Sequence, residues 1–401
     1  MREFDTNYLR LVLEIEKHIE GYVDSYYGAP EIKAEVNSQP PKSPAALLDD
    51  LNWLQQNIPT SDPARQRYLS GLLRAVDCTV RMLNGEQFDY LDEVYRLYDI
   101  RPQKVDEAQF TAAHQTLDQL LPAGNSLSER MESWRSQYDI PADKIAGVME
   151  FLRQETRRRT TPFVDLVPGE KLDIQLTSNQ PWSGYNWFKG NAHSLVEFNT
   201  DIPLSGLRLL DTFAHEAYPG HHTEHQLKEQ HVYKEKGYAE YAAGLLHSPA
   251  AVISEGIATT ALEIIFPGDS AFQWMVDEFF PAAGLPAADA HTIQQVLQAQ
   301  QQLKAVSPNA AILYHTGQLD QAQAVDYYRT YALFNEKRAQ QSFSFISNPL
   351  FRSYIFTYTE GYTLIEQAAG ENKLPLFKRL LVEETLPSDL NSVAGAAAAS
   401  Q

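Results

Sequence analysis

Five of the eleven histidines in this chain crowd between positions 215 and 231: His215, His221, His222, His225 and His231. The first is followed directly by Glu216, in the string HEAYPGHH at 215–222. Imidazole nitrogens are common metal ligands, and a carboxylate beside them can carry a proton. In the usual zinc-peptidase helix two histidines stand one turn apart, and the glutamate between them acts as general base on metal-activated water. Here Pro219 occupies the place of the second histidine. In an unbroken helix His221 would lie about 240° around the axis from His215, and His222 about 10 Å further along it. Neither could then share an ion with His215 at a metal–nitrogen distance near roughly 2.1 Å. The Pro219-Gly220 step removes that objection. Proline cannot donate to the carbonyl of residue 215, and its ring opens the preceding turn. Glycine beside it permits dihedrals that other residues avoid. A break at this step brings a late histidine back toward His215. His221 is favoured over the alternative His222, because the smaller insertion needs less distortion. His221 and His225 are also spaced i,i+4 and could hold an ion without His215, and a histidine cluster can be merely solvated.

A catalytic zinc site needs three protein ligands and one open position. The third is sought in SPAAVISEGIATTALEII, 248–265, which is apolar almost throughout. Glu255 sits inside that run, where an unpaired carboxylate would cost several kcal/mol. Glu263, two turns later, is the competing choice. A partly exposed glutamate on a half-buried helix is the plain alternative.

At these residues the sequence resembles a known family. HEAYPGHH, with a downstream Glu255-Gly256, is similar to the His-Glu-x-x-Pro-Gly-His-His pattern of the bacterial domain-of-unknown-function 885 proteins, which are placed among zincin-like metallopeptidases. A second block, TYTEGYTLI at 357–365, resembles that family's C-terminal segment through Tyr358, Gly361 and Ile365. Ile257, Thr260 and Thr357 depart from the pattern. The resemblance implies a largely helical, gluzincin-like hydrolase with one zinc ion on His215, a late histidine and Glu255, and with Glu216 as base. Tyr358 is the candidate second donor to an oxyanion. His315 and Arg352 are candidates for holding a substrate carboxylate. The expected substrate is a peptide or small amide. A non-peptide amide or ester hydrolase, and a helical binding or scaffold protein with a decayed site, are the rival readings.

Other elements must position these groups. Residues 1–162 read as successive helices. YLRLVLEIEKHIEGYV puts Tyr8, Val12, Ile15 and Ile19 on one face. Ser43-Pro44 and Asp62-Pro63 are cap-and-proline helix starts. DKIAGVMEFLRQETRRR forms a further helix, its arginines complementing the negative end. Residues 163–401 open with short aromatic and β-branched segments. Those at 164–202 predict a small antiparallel sheet with turns near Ser183-Gly184 and Gly190-Asn191. Helices resume at Ser205, the expected cap of the helix carrying His215. The fold class is therefore mainly α, a multi-helix zincin-like architecture with a small sheet just before the histidine helix. The two regions are expected to form one continuous unit, and the low-complexity tail SVAGAAAASQ to fray.

Composition narrows the function further. The 401 residues carry a formal charge of −19 and are 43% hydrophobic, which fits a globular chain and disfavours nucleic acid as a partner. One cysteine, Cys78, allows no intrachain disulfide. No apolar run is long enough to span a membrane, and the charged start MREFDTNYLRLVLEIEK lacks a signal-peptide core, so a cytoplasmic location is expected.

Overall fold

The proline-marked starts are helix starts in the fold. In a computed structural model, which describes residues 2–180 and 182–391, the Ser43 and Asp62 side chains cap helices Pro44–Gln56 and Pro63–Leu83. They accept from Ala46 N, and from Ala64 N and Arg65 N. Each cap serves N–H groups that a helix start leaves without partners, and the proline that follows has no N–H to lose. Helix Glu3–Glu16 buries Tyr8, Val12 and Ile15, while Ile19 falls beyond its end. The arginine run closes helix Ile145–Thr160, where Glu155 and Glu170 meet its charges. The low-complexity tail from residue 392 lies outside the described residues. The chain is mainly α-helical, as the apolar spacing requires. No single helix among the described residues is long and apolar enough to cross a membrane.

The sheet departs from the expectation. Strands β2 (Lys171–Thr177), β3 (Gly184–Gly190) and β4 (His193–Asn199) lie in the order β2-β4-β3. β3 and β4 form the antiparallel hairpin, turning through the positive-φ residues Gly190, Asn191 and Ala192. β2, however, pairs with β4 in parallel, so the sheet is mixed rather than antiparallel. The Ser183-Gly184 step belongs to a crossover: β4 slots between its two predecessors, and its buried Ser194, Val196 and Phe198 alternate toward the protein. A second ribbon was not legible from sequence. β1 (Val23–Tyr26) pairs antiparallel with β5 (Ala243–Leu245), sewing the N-terminal region to the stretch just before helix Pro249–Ile265. Arg65 reinforces this seam from a buried position, bonding Asp5 at 2.9 Å and Glu240 at 2.8 and 2.6 Å.

Helix Pro249–Ile265 is the axis of the fold. Val252, Ile253 and Ile257 pack into one apolar cluster with Phe356 and Ile365. Ala261 and Ile265 enter another, with Leu207, Leu210, Phe213 and Ala214 of helix Gly206–Glu216 and with Val196 and Phe198 of β4. The contact with helix Phe356–Ala369 is backbone on backbone. A Cβ on Gly256 would stand 2.7 Å from the carbonyl oxygen of Gly361, and one on Gly361 would stand 2.4 Å from that of Val252. Only glycine at both positions lets these helices approach so closely. The approach delivers the tyrosines near the start of helix Phe356–Ala369 to Glu255.

Candidate active site

The helix that begins after Ser205 ends at Glu216, and a new one begins at His221. Ser205 stands at its cap position, yet its side chain makes no capping hydrogen bond. The four residues between the helices contain the Pro219-Gly220 step. At Gly220 the chain folds back onto the end of the first helix, and Gly220 N donates to Ala214 O at 3.0 Å. A Cβ there would lie 1.9 Å from the carbonyl oxygen of His215, so this approach requires glycine. Asn186 of β3 donates to Glu216 O at 2.7 Å and fixes the helix end. Through this break the rings of His215 and His221 come to 4.8 Å, centroid to centroid, and stand perpendicular.

Glu255 reaches the same point from helix Pro249–Ile265. His215 Nε2 is 3.4 Å from Glu255 Oε2, and His221 Nε2 is 3.8 Å from Oε1. Ligands about 2.1 Å from one tetrahedral ion are roughly 3.4 Å apart, so these three side chains match a common ion closely. Glu255 Oε2 is buried and, apart from the 3.4 Å contact with His215 Nε2, has no hydrogen-bond partner among the described residues, a placement that suits a cation-binding oxygen. Glu216 lies alongside, Oε1 4.0 Å from His215 Nε2. Two imidazoles and a carboxylate with a second carboxylate adjacent are a donor set that fits zinc.

The surroundings orient these groups. His221 Nδ1 meets Ser254 Oγ at 3.1 Å, and Ser254 donates to Glu224 Oε2 at 2.5 Å. Glu224 is also tied to Lys228 at 2.6 Å. This relay leaves His221 Nε2 facing Glu255. Tyr354 donates to Glu255 Oε1 at 2.6 Å. The charges at the site act strongly on one another. Burial opposes a charge on His221, but Glu224, Glu255 and Glu216 outweigh it and raise the imidazole to about 9. Burial pushes Glu255 up, while His215, His221 and Tyr354 more than compensate and hold it below the usual carboxylate range. Glu216 is raised, first by burial and then by Glu255 and Asp24, against the pull of His215 and His221. Burial, with Glu255 and Glu216, keeps the Tyr358 hydroxyl protonated.

Not every residue expected from sequence arrives. His222 turns the other way: its Nδ1 meets Ser194 Oγ at 2.8 Å and its Nε2 meets Glu170 Oε2 at 2.9 Å, fully buried. Adjacent residues on a helix point about 100° apart, so once His221 faces Glu255 its neighbour cannot. Glu263 is engaged by Tyr362 and Lys373 at the helix end. His315 and Arg352 are not brought to the cavity. His315 Nε2 is satisfied by Ile346 O at 2.7 Å, and Arg352 neutralises the buried Glu93. Tyr358 does line the cavity, beside Tyr354. Residues with no role in the sequence reading also converge. Asp24 of β1 accepts from the Tyr185 hydroxyl and lies within the field of His221 and Glu255. Glu224 had a readable signal, three residues after His221 on one helix face. Asp24 had none.

His215, Glu216, His221, Glu224, Glu255, Asp24, Tyr354 and Tyr358 open into one cavity of about 1250 Å³. No family model matches the chain, and no curated protein matches it. Among solved structures, it is similar to one described as "the putative lipoprotein from Colwellia psychrerythraea", with TM-score 0.55 and 14% identity over 96% of this chain and 69% of that one. At that identity the likeness concerns the fold alone.

Proposed function

We propose that the protein is a zinc-dependent hydrolase that cleaves peptides, with His215, His221 and Glu255 holding the ion and Glu216 as general base. The observation that carries this reading is the convergence of His215 Nε2, His221 Nε2 and the half-unpartnered Glu255 carboxylate across the break at Gly220. The similarity of HEAYPGHH to the domain-of-unknown-function 885 pattern supports it. A bound zinc ion supplies a Lewis acid that makes water acidic near neutral pH and polarises a carbonyl. The chain's own groups do the rest. Glu216, its carboxyl raised by burial, takes the proton of the attacking water and passes it to the leaving amine. Tyr358, kept protonated, offers a hydroxyl to the developing oxyanion. Gly184 of β3 packs on the Glu216 side chain, where a Cβ would lie 3.3 Å from Oε1, and so narrows the freedom of the base.

The test is Glu216→Gln, assayed against a peptide library alongside zinc content by elemental analysis. Zinc at one equivalent in both proteins, with hydrolysis lowered by about 10²–10⁴-fold in the variant, is expected. Hydrolysis at the parental rate would remove Glu216 as base. Failure of the parent to retain zinc after loading would remove the metal reading.

A further inference from the structure

The cavity that holds His215 and Glu255 continues beyond them, and its far reach gathers basic side chains. Arg208 stands seven residues before His215 on the same helix. The two therefore project from one side, about 10 Å apart along the axis, and both line the cavity. Lys304, Arg338 and Arg135 line the same reach from three other elements. Four cations share this reach with three carboxylates, Glu132, Asp139 and Asp211, so cations still exceed anions there in a chain whose formal charge is −19. Arg135 is paired with Glu132. Arg208, Lys304 and Arg338 make no ion pair with any described residue, although Asp211 lies within the field of Lys304. Desolvation within the hollow depresses the Lys304 amine, against Asp211, and Arg208 depresses it further, although the residue as a whole is exposed. Burial likewise brings Arg338 down to about 10, helped by Arg135 and Arg208. Arg208 and Lys304 are exposed on the cavity wall, and Arg338, half-buried, lies over the Phe334 ring at 4.1 Å; like charges gathered there repel one another, and an arriving anion relieves that repulsion.

We propose that this reach binds a carboxylate of the substrate, foremost the terminal carboxylate of a short peptide, with Arg208 and Lys304 as its principal contacts. The position of the cleaved bond relative to that carboxylate rests on the hydrolase reading above; the binding does not. An extended peptide advances about 3.3 Å per residue. The step of about 10 Å from Arg208 to His215 therefore spans about three residues. Peptides shorter than this would not bridge the two points, and cleavage would fall close to the C-terminus. Guanidinium and ammonium donors suit a carboxylate because charge-assisted hydrogen bonds are the strong ones.

The test measures binding without turnover, in the full chain carrying Glu216→Gln. Calorimetric titrations compare tri-alanine, its C-terminal amide and the amide of Ala-Glu-Ala, with and without the further pair Arg208→Gln and Lys304→Gln. Neither side chain has a hydrogen-bond partner among the described residues, so the pair is expected to leave the fold intact, which a thermal melt verifies. Tri-alanine is expected to bind at least about tenfold more tightly than its amide, and the pair to bring that preference below about threefold. A gain for the Ala-Glu-Ala amide that the pair also erases would assign the carboxylate to a side chain as well as to the terminus. Indistinguishable binding of all three peptides, or a preference that survives the pair, would overturn the proposal. Absence of hydrolysis in the parent would sink only the hydrolase reading and leave this difference standing.

Discussion

Replacing Gly220 with alanine strikes the joint on which the candidate site turns. The new Cβ would lie 1.9 Å from the carbonyl oxygen of His215 and 2.5 Å from that of Ala214, where real contacts begin near 3.0 Å. The backbone must therefore part by about 1 Å. That movement threatens the Gly220 N–H bond to Ala214 as well. Overpacking of this kind costs about 1–3 kcal/mol, and a lost backbone hydrogen bond about 1 more. A destabilisation of about 2–4 kcal/mol is expected in urea unfolding of the metal-free protein. The same shift moves His221, the next residue, away from a carboxylate now 3.8 Å from its Nε2. Zinc affinity, measured by competition with a chelating dye, should fall at least about 100-fold. A variant within about 0.5 kcal/mol of the parent and with unchanged zinc affinity would refute the reasoning, because the chain could then make the turn without glycine.

Two further outcomes follow from the groups around the site. Ser254→Ala removes the hydroxyl between His221 and Glu224, and zinc affinity should drop about 10–100-fold with little change in unfolding free energy; equal affinity would show the relay idle. At the opposite face, burial raises Glu170, but bonds from His222, Tyr218 and Arg157 prevail and hold it at about 2. A depressed carboxyl stabilises the fold fully above the ordinary glutamate range, and that stabilisation fades as pH falls from about 4.5 toward 2. Unfolding at graded pH should show a loss of about 2–3 kcal/mol over that window, reduced in Glu170→Gln; an identical pH profile for the variant would contradict the assignment.

The helices were legible because their signals are local. Ser43-Pro44 and Asp62-Pro63 announce a start whatever surrounds them, and the spacing of Tyr8, Val12 and Ile15 fixes a buried face. Glu255 was legible for a different reason: a carboxylate within an apolar run must have a partner. What could not be read depends on residues distant in sequence. The parallel pairing of β2 with β4 is decided by β4 entering between its predecessors, and the β2 residues look the same in either arrangement. Whether His221 or His222 faces Glu255 is set by how far the chain turns between Ala217 and Gly220. Arg352 looked free only because its partner, Glu93, is 259 positions away. Asp24 and Tyr354 carry no pattern at all, and only the packing brings them to the cavity.

The ribbon joining Val23–Tyr26 to Ala243–Leu245 means that one side of the cavity is drawn from the beginning of the polypeptide. As the chain leaves the ribosome, Asp24 emerges long before the histidines and must wait for more than two hundred further residues before its surroundings exist. Contacts of such separation form late and close slowly. A piece beginning at residue 163 would carry every group assigned to the ion and still present an open-sided hollow to water.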